Sequence, residues 1–244
     1  MGAKKLRLYS TLETDNPKFK KDNGLPRMSY SAYTSWKSDM YRGAFIADKF
    51  LGIPDPGNMF TDFGSGCGEY LEAKGMKDEK AETSALLSPS DLETLNKVNL
   101  PEGSVFEREI ILKRETKFGP YFILGYIDRE TQTPECLLDI IDYKTGGAKK
   151  SKDYSGSEYN QTRLYAYARE KDGEEIGYVG VELLHRLGNS LVPGDKNVLR
   201  LEGTIEEIAT PYDVRETEFF LEGFDKVAME ISDNLTFYNK YFAD

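Results

Sequence analysis

Residues Leu137 to Gly147 read "LLDIIDYKTGG". The apolar start marks a buried strand, yet the same run carries acids and a lysine. Burying an ionised group costs roughly several kcal/mol unless it is paired or binds a metal, so Asp142 and Lys144 need partners. Side chains two apart on a strand project to one face, which sets these two side by side. Asp128 ends the preceding apolar run, "YFILGYIDRE", and the short "TQTPE" connection lays that run beside this one. The two carboxylates then meet at one end of a sheet. Without a cation they repel and one pKa rises, whereas a divalent ion removes the conflict. Oxygen ligands select a hard ion, Mg²⁺ or Mn²⁺. A lysine beside such an ion is placed to orient a water or to stabilise charge on a phosphoryl group. The plainer alternative for Asp142 and Lys144 is an intrastrand ion pair at an exposed sheet end.

The rest of the chain narrows the chemistry. One histidine, His185, lies near the end of an apolar run and reads as a strand-end or surface residue; mechanisms that need several histidines are excluded. Two cysteines, Cys67 and Cys136, are too few for a disulfide framework, a four-thiolate zinc site or an iron–sulfur cluster, and a reducing cytoplasm is the expected compartment. No apolar run approaches the ~18 residues of a membrane helix, and no apolar segment follows the basic N-terminus as a secretory signal requires. The formal charge of −10 argues against general coating of nucleic acid. Local basic clusters, Lys149, Lys150 and Lys152 after the opening motif and Lys113, Arg114 and Lys117 in an expected connection before it, remain candidate phosphate contacts.

Periodicity orders the elements. Residues 1–27 read as an irregular arm, and 28–244 as a single domain with its core over about 60–190. Tyr33, Trp36, Met40, Ala44 and Ala47 lie at helical spacing, which predicts one helix up to the Pro-Asp-Pro-Gly stop at 54–57. A second helix is expected from Thr61 or Asp62 to Gly75; its Gly64, Gly66 and Gly68 imply that something approaches the backbone closely. "SPSDLETLNKV" opens with a cap and predicts a short third helix. From about Val105 the period turns strand-like, in three runs whose short breaks favour an antiparallel meander. A helix containing Gln161, Leu164, Tyr165 and Ala168 follows, then the strand "GYVGVELLHRL", an alternating segment over 191–213 and a closing amphipathic helix from Val214.

"GYIDRE", "DIIDYKTGG" and "NQTRLYAYA", in that order, resemble the three motifs of the RecB-like branch of the PD-(D/E)XK nuclease superfamily. The resemblance runs over about residues 28–185 and includes a Ser-x-Ser entry at Ser29. It implies a restriction-endonuclease-like α/β fold, a mixed and mostly antiparallel sheet flanked by helices, with the site at one sheet end. It further implies Asp128 and Asp142 as Mg²⁺ or Mn²⁺ ligands, Lys144 as the catalytic lysine, and Gln161 and Tyr165 on the helix that lines the substrate cleft. The expected function is metal-dependent hydrolysis of DNA, with exonuclease favoured over endonuclease, in recombination, repair or phage DNA processing. The alternative is a nuclease fold that binds DNA or a protein without cleaving. The branch places a histidine four residues after a glycine in the upstream helix, and counting from Gly64 that position is Gly68. Glu72, one turn on and on the same face, is expected to complete the metal shell, with Glu69 as the alternative.

Overall fold

A computed structural model describes residues 11–78, 81–117, 119–155 and 159–241, with backbone alone at 155 and over 235–241. The first ten residues of the expected arm and residues 156–158, which open the third motif's helical segment, lie outside the described residues. In chain order the elements are β1 (Arg27–Met28), α1 (Tyr30–Lys37), α2 (Arg42–Leu51), α3 (Met59–Gly75), α4 (Pro89–Leu95), β2 (Val105–Thr116) and β3 (Gly119–Gln132). There follow β4 (Leu138–Gly146), α5 (Ser151–Ser155), α6 (Gln161–Lys171), β5 (Ile176–Leu187), β6 (Arg200–Pro211) and α7 (Val214–Tyr241).

The opening motif forms β4, an internal strand. It runs antiparallel to β3 on one side and parallel to β5 on the other; β6 is antiparallel to β5, β1 is parallel to β3, and β2 also pairs with β3. This is the mixed, mostly antiparallel sheet with flanking helices expected of a restriction-endonuclease-like α/β fold. A parallel pair cannot be joined by a tight turn, and α5 and α6 supply the crossover between β4 and β5. The β3–β4 connection is tight. Cys136 N donates to Thr133 O at 2.9 Å and Thr133 N donates to Leu137 O at 2.7 Å, with Cys136 in the left-handed region at φ +65°. A turn followed by a left-handed residue is a recurrent short hairpin loop.

The chain divides into two compact units. The first comprises 11–56, 110–125 and 218–241 of the described residues. Within it Tyr33 stacks on Phe224 with ring centroids 5.0 Å apart, and the Trp36 indole donates to Glu230 Oε2 at 3.0 Å. Here the single expected helix is two. α1 stops at Lys37 and α2 starts at Arg42, and Met40 between them is 80% exposed. Ser38 and Asp39 favour turn hydrogen bonds over helix continuation, which the apolar spacing alone did not register. Lys113 and Arg114 lie within β2 and not in a connection. Lys113 reaches Asp22 at 3.1 Å and Arg114 reaches Asp225 at 2.7 Å, so carboxylates take up the charges of these two candidate phosphate contacts.

The second unit, 57–109 and 126–217, holds the motifs. Its core joins Phe63, Cys67 and Leu71 of α3 and Leu95 of α4 to Tyr143 of β4 and Leu184 of β5. α3 begins two residues before the expected start because the Asn58 side chain accepts from Phe60 N and Thr61 N. α4 is opened by a Ser88–Asp91 capping box. The α3 glycines do different work. A Cβ at Gly64 would stand 3.1 Å from Thr145 Oγ1, and one at Gly75 only 2.2 Å from the Phe106 ring, whereas one at Gly68 would meet nothing within 4 Å. His185 is buried in β5, with Nε2 2.9 Å from Glu206 Oε2.

Candidate active site

The β3–β4 register pairs Glu130 with Ile140 and Arg129 with Ile141, so Asp128 and Asp142 come next toward the open end of the hairpin. Asp128 Oδ2 accepts from the Tyr143 backbone N–H at 2.8 Å. Asp142 is 1% exposed and both of its oxygens are engaged. Oδ1 accepts from Gln161 Nε2 at 2.8 Å; Oδ2 pairs with Lys144 Nζ and lies 2.9 Å from the Tyr159 hydroxyl. Gln161 in turn donates to the Tyr165 hydroxyl at 3.2 Å and lies 3.0 Å from Tyr159 through Oε1. The structure thus brings Asp128, Asp142, Lys144, Gln161 and Tyr165 into one constellation. It adds Tyr159, which stands outside the motif pattern just before α6 and carried no sequence signal of its own.

Electrostatics follow from crowding two acids in a low-dielectric corner. Burial first, and then the Asp142 charge, push the Asp128 carboxyl up to about 7, against the pull of Lys144 and the Tyr143 N–H. Burial alone would lower Lys144, but Asp142 and Asp128 outweigh it and hold the ammonium above its ordinary value. Burial and the nearby Asp142 raise the Tyr165 phenol.

An open cleft of about 650 Å³ adjoins this cluster, with Asp128, Lys144 and Thr145 on the sheet side and Phe60, Gly64, Gly68, Glu69 and Glu72 along α3. Glu107 of β2 also lines it. Burial and then Glu69 raise Glu72, while burial, Glu72 and Asp142 raise Glu107. Glu107 has φ +48°, an unfavourable conformation for a residue with a Cβ. Strand alternation does not encode such a departure, and nothing in the residue spacing marks Glu107.

The donor set fits a hard divalent ion. Two crowded carboxylates, one of them shifted toward neutrality, are the conflict that a dication removes. Among the described residues no three acidic, histidine or cysteine side chains converge as a preformed ligand group, so Glu72 lines the cleft without standing in a three-acid set.

The opposite face of β4 is also polar. Arg129 Nη1 donates to Glu182 Oε2 at 3.1 Å, to Asn99 O at 2.8 Å and to the Tyr143 hydroxyl at 3.3 Å. Arg129, Tyr143 and Glu182 are buried and form a brace behind the acids.

The superfamily model for PD-(D/E)XK nucleases matches residues 71–239, and the chain belongs to that superfamily. Among solved structures it is similar to a candidate exonuclease from Eubacterium rectale, with 12% identity, a TM-score of 0.47, and coverage of 95% of this chain and 88% of that one. It is similar also to a phage-related exonuclease from Haemophilus somnus 129PT, with 14% identity, a TM-score of 0.39, and coverage of 98% and 94%. A third, the protein SSO0001, shares 15% identity at a TM-score of 0.31; the match covers 60% of this chain and spans 54% of that one. No curated protein matches the chain. Among the described residues no helix is long and apolar enough to cross a membrane.

Proposed function

We propose that this chain is a Mg²⁺- or Mn²⁺-dependent deoxyribonuclease whose reacting centre is Asp128, Asp142 and Lys144. The observation that carries the reading is the buried Asp142 carboxylate, shared by Lys144, Gln161 and Tyr159, beside a second carboxyl pushed up to about 7. Asp128 and Asp142 would hold the ion, with Glu72 across the cleft in reach of its waters. When bound, the ion supplies Lewis-acid polarisation of the scissile phosphate and a water of lowered pKa.

The chain's own residues do the rest. Gln161 and Tyr159 fix the Asp142 carboxylate so that its oxygens cannot turn away, and Tyr165 holds Gln161. Lys144 keeps its proton, as its raised affinity requires. Its ammonium offers a fixed positive charge where negative charge grows on the phosphate oxygens, the kind of preorganised group that acts more on the transition state than on the ground state.

Purified protein with Mg²⁺ or Mn²⁺, on linear, nicked circular and single-stranded DNA with a chelator control, tests the reading. Chelator-sensitive cleavage supports it, and the preferred substrate separates attack at ends from internal attack. Binding to DNA without cleavage under any metal would establish instead a nuclease fold used only for recognition.

A further inference from the structure

Arg186 of β5 has no part in the roles above. Its guanidinium lies over the Phe60 ring, 4.3 Å from the centroid, and its Nε is buried without a hydrogen-bond partner among the described residues. In the same unit Arg108, Arg129, Arg163 and Arg169 each reach a carboxylate. The groups that bear on Arg186 are Tyr154 and Cys67, neither of them a carboxylate, and burial lowers its hold on its proton. An arginine stays charged regardless. In a chain of net charge −10, a half-buried cation that no acid among the described residues pairs with bears a desolvation cost with little inside the protein to offset it.

The platform beneath it gives the cation a direction. Phe60 lines the cleft at the start of α3, and Glu72 lines the same cleft further along that helix. Gly64, one turn from Phe60 or about 6 Å along the helix, stands against Thr145 next to Lys144, and Arg186 lies three residues along β5 from the partner of Lys144, Leu183, so the cation is close to the reacting centre. Between Phe60 and Glu72, Gly64, Ser65 and Gly68 also line the cleft, and at Gly68 the helix surface is bare, with no atom within 4 Å of a would-be Cβ. A strand laid along this face, with its reacting phosphate at Asp128 and Lys144, carries a second phosphate toward Arg186. Guanidinium matches phosphate oxygens with paired N–H donors, and an aromatic face beneath it limits its rotation.

We propose that Arg186, seated over the Phe60 ring, is a phosphate-binding residue that fixes the nucleic-acid strand along α3 at a phosphate beside the scissile one. The assignment rests on the nuclease reading. It is tested by fluorescence anisotropy of a labelled single-stranded DNA oligonucleotide in Ca²⁺ over a KCl series, with thermal melts of each variant. Arg186→Met is expected to bind about tenfold more weakly and to lower the slope of log K against log salt by about 0.7, the share of one phosphate contact. Arg186→Lys is expected to keep the slope and to lose affinity several-fold, because a point charge replaces a two-pronged one. Phe60→Leu is expected to weaken binding a few-fold at unchanged slope. If wild type cleaves DNA while Arg186→Met retains its affinity and slope, the Arg186 assignment is overturned and the nuclease reading stands. If wild type neither binds nor cleaves, both fall. Should Arg186→Met fail to fold, Arg186→Lys decides, and wild-type affinity in that variant overturns the proposal.

Discussion

Asp142→Asn isolates charge from shape at the centre of the site. The carboxylate accepts from Gln161 on one oxygen and from Tyr159 and Lys144 on the other. The introduced amide has one oxygen, but Gln161 can turn its own amide to face the new –NH₂, and Tyr159 can then accept from Gln161 while donating to the oxygen that remains. The hydrogen bonds re-form and lose their charge assistance, roughly 1 kcal/mol for each of three. Relief of the repulsion that helps push Asp128 up to about 7 offsets most of this. A net change within about 1–2 kcal/mol follows, which is a melting shift within about 8 °C for a chain of this size. Calorimetric titration with Mn²⁺ should show affinity at least about tenfold weaker, because one of two ligands loses its charge. Saturating Mn²⁺ should raise the melting temperature of wild type well above that of the variant. Cleavage should fall at least about a hundredfold. Wild-type cleavage by a folded Asp142→Asn protein at saturating metal would refute the assignment, and a melting point tens of degrees lower would refute the electrostatic balance.

Lys144→Ala should bind labelled DNA in Ca²⁺ about as well as wild type and cleave it at least about a hundredfold more slowly; a parallel fall in binding and rate would reduce Lys144 to a phosphate contact. Glu72→Ala should need more Mn²⁺ for half-maximal cleavage and Glu69→Ala should not, with Mn²⁺ titration of each variant as the check; the reverse order would show that the helix phase is misjudged. Gly68→Ala, in open space, should stabilise α3 by up to about 1 kcal/mol. Gly75→Ala drives a methyl into the Phe106 ring and should cost about 1–3 kcal/mol; urea melts of the two variants give both signs.

What was legible in the sequence followed from local rules. Alternation and the short "TQTPE" break at Thr131–Glu135 were enough to pair Asp128 with Asp142, because both lie in one hairpin and register is a local property. The spacing of Gln161 and Tyr165 placed both on one helix face because a helix repeats every 3.6 residues. The parts that stayed hidden depend on contacts between distant segments. Tyr159 reaches Asp142 only because the chain turns back over β4. Arg129 looks like any polar strand residue until Glu182, 53 positions later, stands beside it. The closing of α1 at Lys37 turned on two turn-forming residues inside an otherwise periodic stretch, and Glu107 on a backbone angle that no alternation encodes.

The β3–β4 turn has a reach beyond its own geometry. Sheet side chains alternate with a strict period of two, so a slip of one residue in this hairpin would send Asp142 and Lys144 to the side of the Arg129–Glu182 brace and turn Tyr143 toward Gln161. The two acids do not favour the native register by themselves, since like charges gain nothing by facing each other; the Gln161 and Tyr159 hydrogen bonds to Asp142 and the core packing of Tyr143 would be lost in a slip. The left-handed Cys136 and the Thr133–Leu137 hydrogen bond count the residues between the strands, about five residues or roughly 17 Å from Asp128. The spacing of the acids is therefore indexed by a loop that never touches them, in the way that the length of a hinge pin decides where the far edge of a door will close.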